Sequence, residues 1–96
     1  QLPFMIFTKS MDFVKVYDDR SLQSTQVRLE GTAAKIFIYC NEAPKTIDQI
    51  KGHLNGQNGK GKESAEEAIR FLEEKGLVYG ERGKYFNLAL PHNSNL

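Results

Sequence analysis

The residues of this chain best suited to chemistry are one glycine-rich stretch, two histidines, one cysteine and a run of glutamates. Gly56-Gln57-Asn58-Gly59-Lys60-Gly61-Lys62-Glu63 nearly spells the phosphate-cradling G-x-x-x-x-G-K-[ST] loop. In that loop backbone N–H groups hold the phosphates and the final hydroxyl holds magnesium. Glu63 stands where the hydroxyl is needed, and its charge repels a phosphate. The stretch also follows a helical pattern rather than a strand, so it reads as an inter-helix loop. His53 and His92 belong to different elements, and Cys40 is the lone thiol. Zinc normally takes four ligands at patterned spacing, which are missing. His53 therefore reads as a surface residue of a helix and Cys40 as a small apolar core residue. A single cysteine also excludes an internal disulfide and a complete iron–sulfur cluster site. Glu63, Glu66, Glu67, Glu73 and Glu74 recur at helical spacing as a solvated helix face, with Glu66 and Arg70 as an i,i+4 pair. No catalytic, cofactor-binding or metal-binding residue is assigned.

The elements that would position these groups follow from periodicity. Asp12-Phe13-Val14-Lys15-Val16-Tyr17-Asp18 is rich in β-formers, and Thr25-Gln26-Val27-Arg28-Leu29 alternates, with Thr25, Val27 and Leu29 on one face. Turn residues between them make this an N-terminal β-hairpin. Phe4 to Thr8 is either a further strand or a linker, so residues 1–10 stand apart from a domain over 11–91 and a disordered tail over 92–96. Ala33, Ile36, Phe37 and Cys40 form the buried stripe of a first helix opened by Gly31 and Thr32. Thr46-Ile47-Asp48-Gln49 matches a capping box, in which hydroxyl and amide satisfy each other's backbone N–H. It starts a short second helix with Ile47, Ile50 and Leu54 inward. Asn55 to Gly61 reads as a flexible loop. Ala65, Ala68, Ile69 and Leu72 stripe a third helix, closed by Gly76 as a left-handed cap with Leu77 folding back. Leu77–Tyr79 and Lys84–Leu90 then flank Gly80-Glu81-Arg82-Gly83 as a second hairpin, stopped by Pro91. The expected fold is α+β: a winged helix, with three helices and a C-terminal β-hairpin wing, preceded by the N-terminal β-hairpin.

Length and charge bound what such a domain can do. At 96 residues there is room for one core and a surface site. Thirteen basic against twelve acidic residues give a net charge of +1, so nothing draws the chain in bulk to nucleic acid or anionic lipid. The apolar runs Phe4–Phe7 and Ile36–Cys40 are too short to span a bilayer. With Gln1 first and no basic-then-apolar signal pattern, the chain is expected to be a cytoplasmic segment of something longer. Duplex binding is a poor match for the third helix. From Glu63 to Lys75 it carries five Glu against Arg70 and Lys75, a net of −3. Affinity for duplexes rests on lysines and arginines neutralising phosphates. The wing adds only Arg82 and Lys84 against Glu81.

Asp19-Arg20, the stretch Val27-Arg28-Leu29-Glu30-Gly31-Thr32-Ala33-Ala34-Lys35-Ile36-Phe37, and Tyr39-Cys40-Asn41 carry a family resemblance. Leu72-Glu73-Glu74-Lys75-Gly76-Leu77-Val78 and Lys84-Tyr85-Phe86-Asn87-Leu88-Ala89-Leu90-Pro91 extend it. Together they resemble the C-terminal domain of cobalamin-binding radical S-adenosylmethionine enzymes of the peptide-maturation type. Related proteins are often labelled Fe-S oxidoreductase or magnesium-protoporphyrin ester cyclase. The likeness covers roughly residues 12–91, through short motifs: Asp-x-Arg, Leu-x-Gly before a helix, an aliphatic-Cys-Asp-like helix end and a closing Leu-Ala-Leu-Pro. It implies that a parent enzyme, an oxidoreductase or methyltransferase, uses a 4Fe-4S cluster, S-adenosylmethionine and cobalamin. The Cys-x-x-x-Cys-x-x-Cys cluster motif cannot be present in a chain with one cysteine. That chemistry belongs to the rest of the parent, and no cofactor is assigned here.

The strands-then-helices order also resembles the peptide-recognition modules of peptide-modifying pathways, which take a leader peptide as an added strand. Carried onto this chain, that resemblance implies a non-catalytic accessory domain that recognises or positions a precursor peptide. The peptide would lie along Thr25, Val27 and Leu29, with Arg70 of the third helix beside it. The alternatives are a DNA-binding winged-helix domain, or a purely structural packing domain of the parent enzyme.

Overall fold

The computed structural model describes residues 5–20, 23–55 and 64–92. They form a mixed α+β arrangement of three helices and two sheets. The chain divides into two compact units, Gln1–Glu30 with Leu88–Leu96, and Gly31–Asn87.

The first unit is a four-stranded sheet in the order β3-β2-β1-β7, made of β1 (Met5–Lys9), β2 (Phe13–Asp18), β3 (Thr25–Glu30) and β7 (Leu90–Pro91). Residues 5–9, for which sequence left strand or linker open, are a strand paired antiparallel with β2, Phe7 opposite Val16. β2 pairs antiparallel with β3, Val14 opposite Leu29 and Val16 opposite Val27. Met5, Phe7, Val14, Val16 and Leu29 are all buried, so the period-2 alternation does set the inward face. The β2–β3 connection begins with Asp18 gripping Arg20. Arg20 donates from Nε to Oδ1 and from Nη2 to Oδ2, both at 2.7 Å, and from its backbone N–H to Oδ1 at 3.1 Å.

The second unit contains α1 (Gly31–Glu42), β4 (Lys45–Thr46), α2 (Ile47–Asn55), α3 (Ala65–Glu74), β5 (Tyr79–Glu81) and β6 (Lys84–Phe86). Its sheet runs β4-β6-β5. Each helix stripe read from the sequence faces the core: Ala33, Ile36, Phe37 and Cys40 on α1, Ile50 on α2, and Ala65, Ala68, Ile69 and Leu72 on α3. Ile47 and Leu54 are half-buried. The Thr46 capping box forms, with Gln49 N–H donating to Thr46 Oγ1 at 3.1 Å and Thr46 N–H to Gln49 Oε1 at 2.8 Å. A second capping box, Ser64 with Glu67, opens α3. At its other end Gly76 has φ +71°. Gly76 N–H reaches Glu73 O and Leu77 N–H reaches Leu72 O, both at 2.9 Å, a Schellman closure.

Several expectations change. The final strand does not run from Lys84 to Leu90: β6 ends at Phe86, and Leu90–Pro91 instead pair parallel with Ile6 and Phe7 of β1. The break falls at Asn87, whose side chain turns to α1 as described below. Leu77 and Val78 are buried but precede β5 rather than belonging to it. The β5–β6 hairpin turn is the two-residue Arg82–Gly83, with Glu81 opposite Lys84. Both turn residues have positive φ, +55° and +79°, as a type I′ turn requires. His92, expected to open the tail, is held to the first sheet, its N–H donating to Phe7 O at 2.8 Å. Residues 93–96 and the glycine-rich loop over 56–63 lie outside the described residues.

Candidate functional site

The sheet order makes β3 an edge: β2 lies on one side, and among the described residues no strand lies on the other. Alternate residues of an edge strand turn N–H and C=O outward, a ready template for an added strand. β3 is six residues long and regular in register from Thr25 opposite Asp18 to Glu30 opposite Phe13. Directly opposed residues share a face, so registers define rows across the sheet. On the outer face one row runs Leu90, Ile6, Tyr17, Gln26, and the next runs Thr8, Lys15, Arg28. Leu90 and Tyr17 are exposed, at 57% and 54%. Arg28 reaches the edge with its guanidinium 3.9 Å from the Phe13 ring centroid and its Nε donating to Glu30 Oε2 at 2.6 Å. Stacking and the ion pair together hold a cation in a defined place at the rim.

The structure brings together three of the four residues singled out for peptide contact. Thr25, Val27 and Leu29 share one face of β3: Thr25 is exposed, Val27 half-buried, and Leu29 only 1% exposed. Leu29 therefore offers an incoming chain little side chain. Its backbone, like that of Thr25 and Val27, turns toward β2, because Ser10 N–H donates to Phe13 O and the alternation of bonded pairs carries through Val14 opposite Leu29. Arg70 is exposed on α3, in the other unit. The side chains at the strand's rim, Gln26, Arg28 and Glu30, were missed because alternation marks the apolar face rather than the edge.

On the second unit, the exposed face of α3 carries Glu66, Glu67, Glu73 and Glu74 with Arg70. Glu66 does not pair with Arg70 as expected. Lys51 of α2 reaches it at 2.5 Å, a cross-helix partner that intra-helix spacing could not reveal. Their bond lowers the Glu66 pKa and raises that of Lys51.

Three side-chain arrangements in this unit had no clear sequence signal. Lys45 is nearly buried, and its Nζ donates to Tyr39 O at 2.7 Å and Ala43 O at 3.3 Å. It also lies 4.0 Å from the Tyr39 ring centroid and 3.6 Å from Glu42. It places a cation on the carbonyl end of α1, where the helix dipole favours one. His53, expected as a plain surface residue, is half-buried and stacks on Tyr39 at 4.0 Å and 3°. Asn87 is buried, donating from Nδ2 to Phe37 O at 2.9 Å and accepting from Asn41 Nδ2 at 2.8 Å. These bonds aim the side chain at α1 and accompany the end of β6.

Cys40 is 1% exposed, and burial pushes its thiol up to about 11, with the Lys45 charge opposing. A lone, buried, protonated thiol does not fit an iron–sulfur cluster, which takes several thiolates. Among the described residues no helix is long and apolar enough to cross a membrane. Comparison of the chain with protein-family models, curated proteins and solved structures finds no match.

Proposed function

We propose that this chain is a non-catalytic accessory domain of a cytoplasmic radical S-adenosylmethionine enzyme, and that it recognises or positions a peptide substrate. The cluster, S-adenosylmethionine and any cobalamin belong to the rest of the parent. One observation carries the peptide-binding role: β3 is a regular six-residue edge strand with no neighbour on its outer side among the described residues. An extended peptide adding to it gains main-chain hydrogen bonds for affinity and side-chain rows for selection. The family assignment rests on the short motifs alone.

A second reading is favoured by topology. The order α1-β4-α2-α3-β5-β6 with sheet order β4-β6-β5 supports reading this unit as a winged helix, a fold that often docks its third helix in the major groove. The charges on α3 oppose that use, since four glutamates against Arg70 would face phosphates. Amide-shift titration of the labelled chain separates the readings. One arm adds the precursor peptides encoded beside the parent gene, and the other adds a short DNA duplex at low salt. Shifts along Thr25–Glu30 with peptide support the proposal. Shifts on α3 and the Arg82–Gly83 wing with duplex, fading as salt rises, make it a nucleic-acid binder. A flat response in both arms leaves the packing domain.

A further inference from the structure

The outer-face rows say what kind of peptide the β3 edge would select. Lys15 and Arg28 are directly opposed on β2 and β3, and like charges in that position destabilise a sheet. The row Thr8, Lys15, Arg28 ends at the edge, so a fifth strand places one residue directly beside Arg28. Its place is prepared, because the Phe13 ring and Glu30 carboxylate fix the guanidinium plane. Only Nε is committed to Glu30, and among the described residues the Nη groups have no hydrogen-bond acceptor. Two residues away on the same face the added strand would meet Gln26 on one side and Glu30 on the other. An acid opposite Glu30 is repelled, so the charge pattern also selects register.

We infer that the β3 edge takes an extended peptide bearing an acidic side chain at the position opposite Arg28, with a neutral or basic residue two positions on, opposite Glu30. This rests on the peptide-binding reading and deepens it. Arg28 is a specificity residue: main-chain bonding supplies the general affinity, and Arg28 sets which peptide and which register.

The test selects random 12-residue linear peptides displayed on phage against the full chain and against Arg28→Glu, each confirmed folded by its amide spectrum. A selected peptide that shifts β3 amides is then synthesised with Glu, Gln or Lys at the enriched position. The expected result is acid enrichment at one position of an alternating pattern. Glu should bind about threefold tighter than Gln and Lys about threefold weaker, as one exposed cross-strand charge pair allows. The order inverts in Arg28→Glu and flattens in Arg28→Gln, and the differences shrink with added salt. Peptides that bind β3 without charge preference overturn the inference and leave the edge reading standing. Failure to recover any β3-binding peptide overturns both. A chain that sediments as a dimer, dissociated by Gln26→Pro, which removes an outward N–H of β3, gives the edge to a second copy and overturns the inference as well.

Discussion

The sharpest consequence of the second unit's packing concerns Asn87. Asn87→Asp is nearly isosteric, so it changes charge and hydrogen-bond direction while leaving volume alone. In the native side chain the Nδ2 donor lies 2.9 Å from Phe37 O, and Oδ1 lies 2.8 Å from the Asn41 donor. The substitution turns the first contact into carboxylate oxygen against carbonyl oxygen, in a site only 4% exposed. Losing the donor bond costs about 1 kcal/mol. Burying an anion that is only partly compensated by Asn41 adds about 2 kcal/mol or more. A total of roughly 3 kcal/mol is a large share of the ~5–15 kcal/mol that holds a small domain together. It should lower Tm by roughly 12–24 °C at this size. The introduced carboxyl is harder to ionise in the folded than in the unfolded chain, so its folded pKa is raised. Between the two values the native state binds more protons, and stability falls as pH rises through that window. Below it the protonated group can donate to Phe37 O again. Urea unfolding of both proteins from pH 4 to 8 should therefore show a gap that is wide at pH 7 and narrows toward acid. Asn87→Ala should show a smaller gap that does not change with pH. An Asn87→Asp gap independent of pH, or below ~0.5 kcal/mol at pH 7, would refute the reasoning.

Three further outcomes follow from named contacts. Because burial holds the Cys40 thiol at about 11, Ellman's reagent at pH 8 should not label the native chain within minutes but should label it fully in 6 M guanidinium. Rapid native labelling would contradict the packing. Asp18 has a lowered pKa, first through its side-chain bond from Arg20. Its contribution to stability is present above the unfolded carboxylate value and is lost as pH falls through the lower folded value, and Arg20→Ala should return its carboxyl-carbon titration toward 3.8. Arg82 holds φ +55° at the first position of the β5–β6 turn, where Asn is far better tolerated. Arg82→Asn should raise stability by about 0.5–1 kcal/mol in urea melts, and a loss would show that the Arg82 side chain contributes there.

Local signals carried most of the architecture. The helix stripes, the Thr46 capping box and the Gly76 cap depend on residues within a few positions of one another, so spacing exposes them. Ser64-Ala65-Glu66-Glu67 carries the same capping pattern at the same short spacing. What escaped depends on partners far apart in the chain. β4 is two residues long and exists because β6 pairs with it. β7 needs β1, more than eighty positions earlier, and its Pro91 looked like a stop signal. Lys45 was unremarkable until the carbonyl end of α1 was placed around it, and Asn87 until α1 stood opposite. At the candidate site, alternation draws attention to the apolar face of β3. Thr25, Val27 and Leu29 follow the apolar period, whereas the edge position of β3, and hence the importance of Arg28, follows only from the strand order.

The central claim is that an extended peptide pairs with β3, and intermolecular nuclear Overhauser effects test it most directly. The labelled chain, saturated with an unlabelled phage-selected peptide, should show cross-strand contacts between peptide backbone protons and alternate residues of Thr25–Glu30. The outward-facing β3 amides should gain hydrogen-exchange protection at the same time. Contacts confined to α3 and the β5–β6 hairpin, with no β3 amide gaining protection, would contradict the account.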